Sequence, residues 1–432
     1  MTAAKPTRAR IRSYNVGFGD CFLLTFFYGD DDTRDILIDF GSTKDSPFGP
    51  EGGMLAIAEK IREHSGGKLD MVVATHRHRD HISGFGGDPG DVIASLKPEL
   101  VLQPWTEDPE LEPDARELPD AAGGHGAPGL VARLANMQAV AKAVHEEVPK
   151  LKESPHVRKT VREQLEFLGD TNIANKDAVV NLMNMGKRAA YANFGTELDV
   201  AELLPGVGLE VFGPPTLEQS EEIADQREKD PDEFWQLAAA SVAPTAGVGD
   251  ELKLLFPDAA IPAESATQEG RWVIPEIERM RSEEMLAIVR SLDSALNNTS
   301  LILLFEVGDT RLLFPGDAQI ENWSYALFTA PNHEEIRKRL ASAAFYKVGH
   351  HGSLNATPKT LWSGFKRANE EKTPDRLSTM VSTLAGKHGS EARGTEVPRK
   401  LLVTELEHKS NFQDTETLRD ADEFWNDVEF EF

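Results

Sequence analysis

The residues best suited to chemistry lie in one short stretch, His76 to His81, directly after an apolar run. The stretch reads His-Arg-His-Arg-Asp-His, which puts three imidazoles and one carboxylate within six residues. Side chains of these types bind zinc and similar divalent ions. Because His76 and His78 are two positions apart, both rings project to the same side of an extended backbone. The spacing favours a metal site over a solvated polar loop, and it suits two ions better than one.

A buried strand before His76 and a turn after His81 would position these side chains. Met71 to Ala74 is typical of a short buried strand, and Gly84, Gly86 and Gly87 supply the freedom for the turn that follows. Further predicted strands and one helix precede it: strands at 12–16, 21–27 and 35–41, and a helix at 51–64. After it, a short helix at 91–97 and a strand at 98–103 complete the first half of an α/β fold.

Two apolar strands in the second half also end in polar motifs. Strand 311–314 of a predicted hairpin runs into Pro-Gly-Asp317-Ala, and strand 343–348 runs into Gly-His-His-Gly-Ser at 349–353. With His-x-His-x-Asp-His and the opening Asn-Val-Gly-Phe-Gly-Asp, these motifs resemble the metallo-β-lactamase superfamily. Within it the chain is similar to the hydrolase domain of the ComEC DNA-uptake protein and its free-standing relatives. The resemblance covers roughly residues 8–104, 203–215 and 298–410.

The resemblance implies an α/β fold in which two mixed sheets are sandwiched between outer helices, the αββα arrangement. We expect one domain over residues 1–432 with two mostly helical insertions, at 105–188 and 216–296. Helical spacing predicts helices at 129–150, 157–167 and 276–296 within them. The insertions are predicted to serve as a lid or as a surface for a protein partner.

The resemblance also implies a dinuclear metal centre, with zinc expected first and manganese as the alternative. Asp317 is expected to bridge two ions, since two carboxylate oxygens can neutralise and space two cations. The predicted ligands are His76, His78, Asp80, His81, Asp317 and His350. The chain departs from many superfamily members by having no histidine between His156 and His333. Asn297, Asn298 and Ser300 stand in that region, so the first metal position is expected to be weak or rich in oxygen ligands.

Roles in catalysis and substrate binding also follow from the resemblance. One of His350 and His351 is expected to ligate metal and the other to act as an acid or contact substrate; spacing does not decide which, and we assign metal binding to His350. The predicted catalytic residues are Asp80, His351 and His388, and the predicted substrate contacts are Arg77, Arg79, Ser353 and Asn355. The strand-end Asp39 is interpreted either as a support of the metal loop or as a turn cap.

Composition limits the possible partners. Hydrophobic residues make up 40% and charged residues 27% of the chain, as in globular proteins in water. The formal net charge of −26 argues against a broad surface for nucleic acid. Cys21 is the one cysteine, so no intrachain disulfide can form. No apolar run is long enough to span a membrane, and we expect a cytoplasmic protein.

Three functions are compatible with these residues. The first is a metal-dependent hydrolase that uses a metal-activated water to cleave phosphodiesters, such as single-stranded DNA or DNA ends, with Arg77, Arg79, Lys347 and Lys387 as the available cations. The second is a hydrolase of a small ester, lactone or thioester. The third is a component of a toxin or defence system that binds a protein partner through its insertions.

Overall fold

The computed structural model describes residues 5–29, 32–111, 176–220, 295–386, 396–420 and 423–432, together with some positions in 157–165 and 279–293. The chain divides into two compact units. The first consists of Met1–Leu130, Ala174–Ile223 and Leu296–Phe432, and the second of Val131–Ile173 and Ala224–Ala295. All the elements that follow belong to the first unit.

Two β-sheets are formed by the described residues. The first has seven strands in the order β13-β1-β2-β3-β4-β5-β6, and the second has six in the order β12-β11-β10-β9-β8-β7. In chain order the strands are β1 Arg8–Tyr14, β2 Cys21–Phe27, β3 Thr33–Phe40, β4 Met71–Val73, β5 Leu100–Pro104, β6 Arg188–Ala192, β7 Gly208–Gly213, β8 Ile302–Val307, β9 Thr310–Phe314, β10 Phe345–Lys347, β11 Ser378–Val381, β12 Asn411–Asp414 and β13 Trp425–Glu431.

Both sheets are mixed. In the first, strands β13, β1, β2 and β3 pair antiparallel, whereas β3, β4, β5 and β6 run parallel. In the second, β7, β8 and β9 pair antiparallel, whereas β9, β10, β11 and β12 run parallel. The helices are α1 Gly53–His64, α2 Arg79–Ile82, α3 Gly87–Ser95, α4 Lys176–Asn184, α5 Ile320–Ser324, α6 His333–Leu340, α7 Lys359–Gly364 and α8 Lys400–Lys409.

Side chains alternate across the sheets, and the alternation creates three cores. Along β3, Ile36 and Ile38 point inward and share a core with residues of the second sheet, whereas Leu37 points outward. The rings of Phe22 and Phe314, one from each sheet, lie 6.2 Å apart in the shared core. The outer face of the first sheet packs on helices α1, α3 and α4, and the outer face of the second packs on α5, α6, α7 and α8. The prediction of an α/β fold with two mixed sheets and outer helices is therefore confirmed at this level.

Three strands, β6, β12 and β13, lie where the sequence predicted none. The acidic segment after residue 414 contains β13, which pairs antiparallel with β1. Its acids alternate with apolar residues and face arginines of β1: Glu429 lies 2.7 Å from Arg10 and Asp427 lies 2.6 Å from Arg12. Strand β6 pairs parallel with β5 and begins at the last residue of the predicted insertion at 105–188. Its sequence, Arg-Ala-Ala-Tyr-Ala, has low strand propensity, which explains why the pattern was missed.

The second unit is described at few positions. Residues 159, 161, 162 and 165 are helical, as are residues 279, 282, 283, 286, 290 and 293. Arg158 pairs with Glu283, so these two segments contact one another. Outside the described residues lie the predicted helix at 129–150 and the remainder of the predicted helices at 157–167 and 276–296. The predicted site residue His388 and its neighbour Lys387 also lie outside them. In the part of the chain that the structure describes, no helix combines the length and the hydropathy needed to cross a membrane.

Candidate metal centre

The candidate centre lies where four strands end. Strands β3 and β4 are parallel neighbours in the first sheet, and β9 and β10 are parallel neighbours in the second. Because the carboxyl ends of parallel strands meet at one edge of a sheet, the residues that follow them come together. Asp39 ends β3, the stretch 76–81 follows β4, Asp317 follows β9 and His351 follows β10.

Four buried side chains form the centre: Asp80, His81, Asp317 and His351. One nitrogen or oxygen atom from each lies within 4.8 Å of all the others. Asp80 Oδ2 is 3.0 Å from His351 Nε2, and His81 Nε2 is 3.0 Å from Asp317 Oδ2. His351 Nε2 is 3.7 Å from Asp317 Oδ2. Ligand atoms placed tetrahedrally around zinc at its usual bond lengths are about 3.3 Å apart, which is the scale of these separations.

The donor atoms fit a divalent cation. Two imidazole nitrogens and two carboxylate oxygens are a normal zinc ligand set. Among the described residues, Asp80 Oδ1 is buried without a hydrogen-bond partner, and the contact of His81 Nε2 with Asp317 lacks hydrogen-bond geometry. A buried oxygen with no partner is costly, and a cation that brings a bound water would relieve that cost. These buried His and Asp groups could hold a metal ion.

The candidate ligand His351 is oriented by a hydrogen bond from its other ring nitrogen. Its Nδ1 lies 2.9 Å from the carbonyl oxygen of Ser382, so Nδ1 donates a hydrogen bond to that carbonyl and Nε2 is the ring nitrogen that faces the centre. His350 and His351 have φ values of 47° and 51°, a left-handed conformation that turns the chain sharply after β10. The prediction had assigned the metal to His350; the structure places His351 among the four candidate ligands. His350 is half-buried, and its backbone N–H donates to Asp317 Oδ1 over 2.9 Å.

The ligand His81 is oriented by Asp39. His81 Nδ1 lies 2.8 Å from Asp39 Oδ2, and Asp39 also accepts bonds of 2.7 Å from the N–H and the hydroxyl of Thr75. Burial alone would lower the pKa of His81, but the carboxylates of Asp317, Asp39 and Asp20 outweigh it and hold that pKa well above its usual range. The strand-end Asp39 thus supports the loop that carries the ligands.

His76 and His78 occupy a second position beside the four ligands. Both are buried, and His76 Nε2 lies 2.9 Å from His78 Nδ1. The described residues contain no group of three or more ligand atoms that includes either ring. Ser300, from the region that lacks a histidine, accepts a 3.3 Å hydrogen bond from the backbone N–H of Asp317. Ser300 thus supports the turn that carries Asp317.

Two charged residues at the centre were missed as site residues: Asp20 and Lys347. Lys347 is buried at 2% exposure, pairs with Asp20, and lies 3.2 Å from Asp317 Oδ1. Burial would lower the pKa of Lys347, but Asp20 and Asp317 hold it above its usual value. A lysine within an apolar strand is the sequence signal that could have indicated this position. Because Lys347 is buried, its ammonium group cannot contact nucleic acid, contrary to the role expected of it.

The predicted substrate contacts have different surroundings. Arg77 forms a two-bond pair with Glu107, at 2.7 Å from Nε and 2.6 Å from Nη2. Arg79 is exposed to solvent next to the ligand stretch. Ser353 donates to Asn355 Oδ1 over 2.7 Å on the loop after His351. Of these residues, Arg79 is the cation that is open to solvent.

No protein-family model matches the chain, and no curated protein matches it. The fold and the site together therefore define a mixed α/β protein of two sheets with buried His and Asp groups that could hold a metal ion.

Proposed function

We propose that the chain is a metal-dependent hydrolase with the metallo-β-lactamase sandwich fold. The observation that carries this proposal is the convergence of Asp80, His81, Asp317 and His351, which come from opposite sheets, within 4.8 Å of one another. The position of the His-x-His-x-Asp-His stretch supports the proposal further, because the stretch follows β4 in a fold of two mixed sheets.

Each residue of the candidate centre has a separate role in the proposed hydrolysis. A bound divalent cation lowers the pKa of a water molecule and polarises the scissile group. Asp317 and His351 would hold the cation, and Asp39, by binding His81 Nδ1, leaves His81 Nε2 as the ring nitrogen that would bind it. The partnerless Oδ1 of Asp80 accepts a hydrogen bond from the attacking water and so orients it. His76 and His78 provide a second, weaker cation position, because the described residues bring no third ligand to them.

The proposed substrate is a phosphodiester, with single-stranded DNA or DNA ends as the form that fits. A net charge of −26 repels a long duplex, so the protein can neutralise only a few phosphates. Arg79 is the exposed cation beside the ligands that can contact one of them. Binding is therefore weak, with a shallow dependence on salt and little sequence preference.

A second substrate class is favoured by one specific contact. The guanidinium of Arg77 is held by Glu107, which removes one of the two arginines expected to bind phosphate. Among the described residues, Arg79 is then the remaining exposed arginine of the stretch 76–81, which suits a small ester, lactone or thioester, since such a substrate needs polarisation of its carbonyl and no anion site.

The experiment combines metal content with turnover. Purified protein is assayed for bound zinc and manganese and then incubated with linear, circular and single-stranded DNA, a generic phosphodiester, a lactone and a thioester. We expect metal retention and cleavage of the phosphodiesters, both lost in Asp317→Asn. Asp309→Asn, an exposed acid of the β8–β9 turn, is the matched control and should retain both. Turnover of only the lactone or thioester would establish the second class, and full activity of Asp317→Asn would overturn the metal-dependent mechanism.

A further inference from the structure

The two oxygens of Asp317 have different surroundings. Oδ2 faces the candidate ligands, at 3.0 Å from His81 Nε2 and 3.7 Å from His351 Nε2. Oδ1 faces away from them and receives two donors: the ammonium group of Lys347 at 3.2 Å and the backbone N–H of His350 at 2.9 Å. A carboxylate oxygen has two lone pairs, so these two donors occupy the capacity of Oδ1.

Lys347 is itself held in place. Its ammonium group also donates to the carbonyl oxygen of Gly316 over 2.9 Å and pairs with the carboxylate of Asp20. Asp20 is fully buried, and its backbone is fixed by hydrogen bonds to Asp80 and Gly41 of 2.9 and 3.0 Å. Removing either partner of a buried ion pair leaves an uncompensated charge, so neither group is free to leave the other.

We propose that Lys347 and Asp20 are positioning residues, which hold Asp317 so that it offers a cation one oxygen only. Asp20 anchors the ammonium group, and the ammonium group together with the His350 N–H turns Oδ1 away from the centre. This inference rests on the proposed metal-dependent function. It replaces the expectation that Asp317 spaces two cations with its two separate oxygens: any sharing of Asp317 between two cations passes through Oδ2 alone.

The arrangement has a consequence for catalysis. A carboxylate that binds a cation through both oxygens occupies two coordination positions, whereas one oxygen occupies one. Catalytic zinc sites need a position open to water. With Asp317 restricted to Oδ2, the four side chains would supply four ligand atoms and a water could enter as the fifth, whereas a second Asp317 oxygen would take the place of that water.

The test uses cobalt(II) as the probe, because its visible absorption weakens when its coordination number rises. Wild-type protein is stripped of metal, loaded with one equivalent of cobalt(II), and compared with Lys347→Met. We expect a several-fold loss of visible absorption in Lys347→Met, with cobalt still bound, because Oδ1 is released to the ion. Lys338→Met removes an exposed lysine of α6 and is the matched control, which should keep the wild-type spectrum.

Each remaining outcome is informative. If Lys347→Met does not fold, the double variant Asp20→Asn/Lys347→Met, which removes both buried charges, is measured in its place, with the same expected loss of absorption. A wild-type spectrum in the folded variant would overturn the positioning role while leaving the metal centre intact. A wild-type protein that takes up no cobalt would overturn the metal centre and this inference together.

Discussion

Asp39 Oδ2 lies 2.8 Å from His81 Nδ1. This contact connects the end of β3 to residues 76–81, which follow β4. Asp39 has a φ of 56°, a conformation that residues with side chains seldom adopt outside turns, and Asp is one of those that tolerate it. The carboxylate also accepts two bonds from Thr75, so its direction is fixed from both sides. A carboxylate that orients a histidine in this way sets which ring nitrogen can bind a cation.

The first prediction concerns this pair. Asp39→Asn keeps the size of the side chain but places an amide N–H opposite His81 Nδ1, which favours the wrong tautomer of the ring. We expect zinc affinity to fall by about 10- to 100-fold, the usual effect of losing a residue that orients a metal ligand. The measurement is competition with a chromophoric chelator, with Asp309→Asn as the control. Unchanged affinity in Asp39→Asn would show that His81 does not depend on this carboxylate.

The second prediction separates the two histidines after β10. Asn tolerates the left-handed backbone that both positions adopt, so His351→Asn and His350→Asn form a matched pair. His351→Asn should lose the bound metal, because its Nε2 is one of the four candidate ligand atoms. His350→Asn should retain it, because the contact of residue 350 with Asp317 uses the backbone. Metal analysis of the two proteins decides the matter, and the reverse result would return the ligand role to His350.

The third prediction distinguishes the two arginines. Arg79→Met should raise the KM for a phosphodiester, since Arg79 is the exposed cation next to the ligands. Arg77→Met should leave the KM unchanged and instead lower the free energy of unfolding, because Glu107 loses its partner while 7% exposed. Steady-state kinetics and urea unfolding of both variants provide the test. A raised KM with normal stability in Arg77→Met would mean that Arg77 leaves Glu107 to bind substrate.

The fourth prediction is a dependence of stability on pH that arises at His64. The hydroxyl of Tyr14 donates to His64 Nδ1 over 2.8 Å, and burial together with Arg12 and Lys60 lowers the pKa of His64 from 6.5 to about 4. The unfolded chain therefore takes up a proton at this residue before the folded protein does. The contribution of neutral His64 to stability is complete above about pH 6.5 and is lost as the pH falls towards 4.

This contribution can be isolated by substitution. His64→Phe keeps a ring against Trp425 but does not titrate, so wild type and variant should differ in their loss of stability between pH 7 and 4.5, with the wild type losing more. His408→Phe, at an exposed position of α8, is the control and should behave as the wild type does. Urea unfolding at the two pH values measures the difference. Parallel losses in wild type and His64→Phe would show that the pKa of His64 is not depressed.

The sequence predicted the parts of the site that depend only on neighbouring residues in the chain. The stretch 76–81 after β4 and Asp317 after β9 follow apolar strands, and both signals are contained in a few consecutive residues. The alternation of Ile36, Leu37 and Ile38 likewise predicts a strand without knowledge of its neighbours. Local patterns of this kind require no information about packing.

The rest of the site depends on contacts between distant elements. The choice of His351 over His350 follows from the backbone turn after β10 and from the carbonyl of Ser382, 31 residues further along the chain. The pairing of Lys347 with Asp20 joins β10 of one sheet to the residue before β2 of the other. Strand β13 pairs with β1, and its acids contact arginines that lie 415 and 419 residues earlier in the chain. No short stretch of sequence contains these relationships.

The origin of the four candidate ligands in two different sheets would give a bound cation a thermodynamic role besides the proposed catalysis. Asp80 and His351 are 271 residues apart, and their side chains meet only after the sheets have packed face to face. A cation held between them binds the packed arrangement and not the separated sheets. By mass action it would stabilise that arrangement by about 2.7 kcal/mol at a concentration 100 times its dissociation constant. A bound ion would thus hold the two sheets together, and a chelator would destabilise their packing as well as inhibit the proposed hydrolysis.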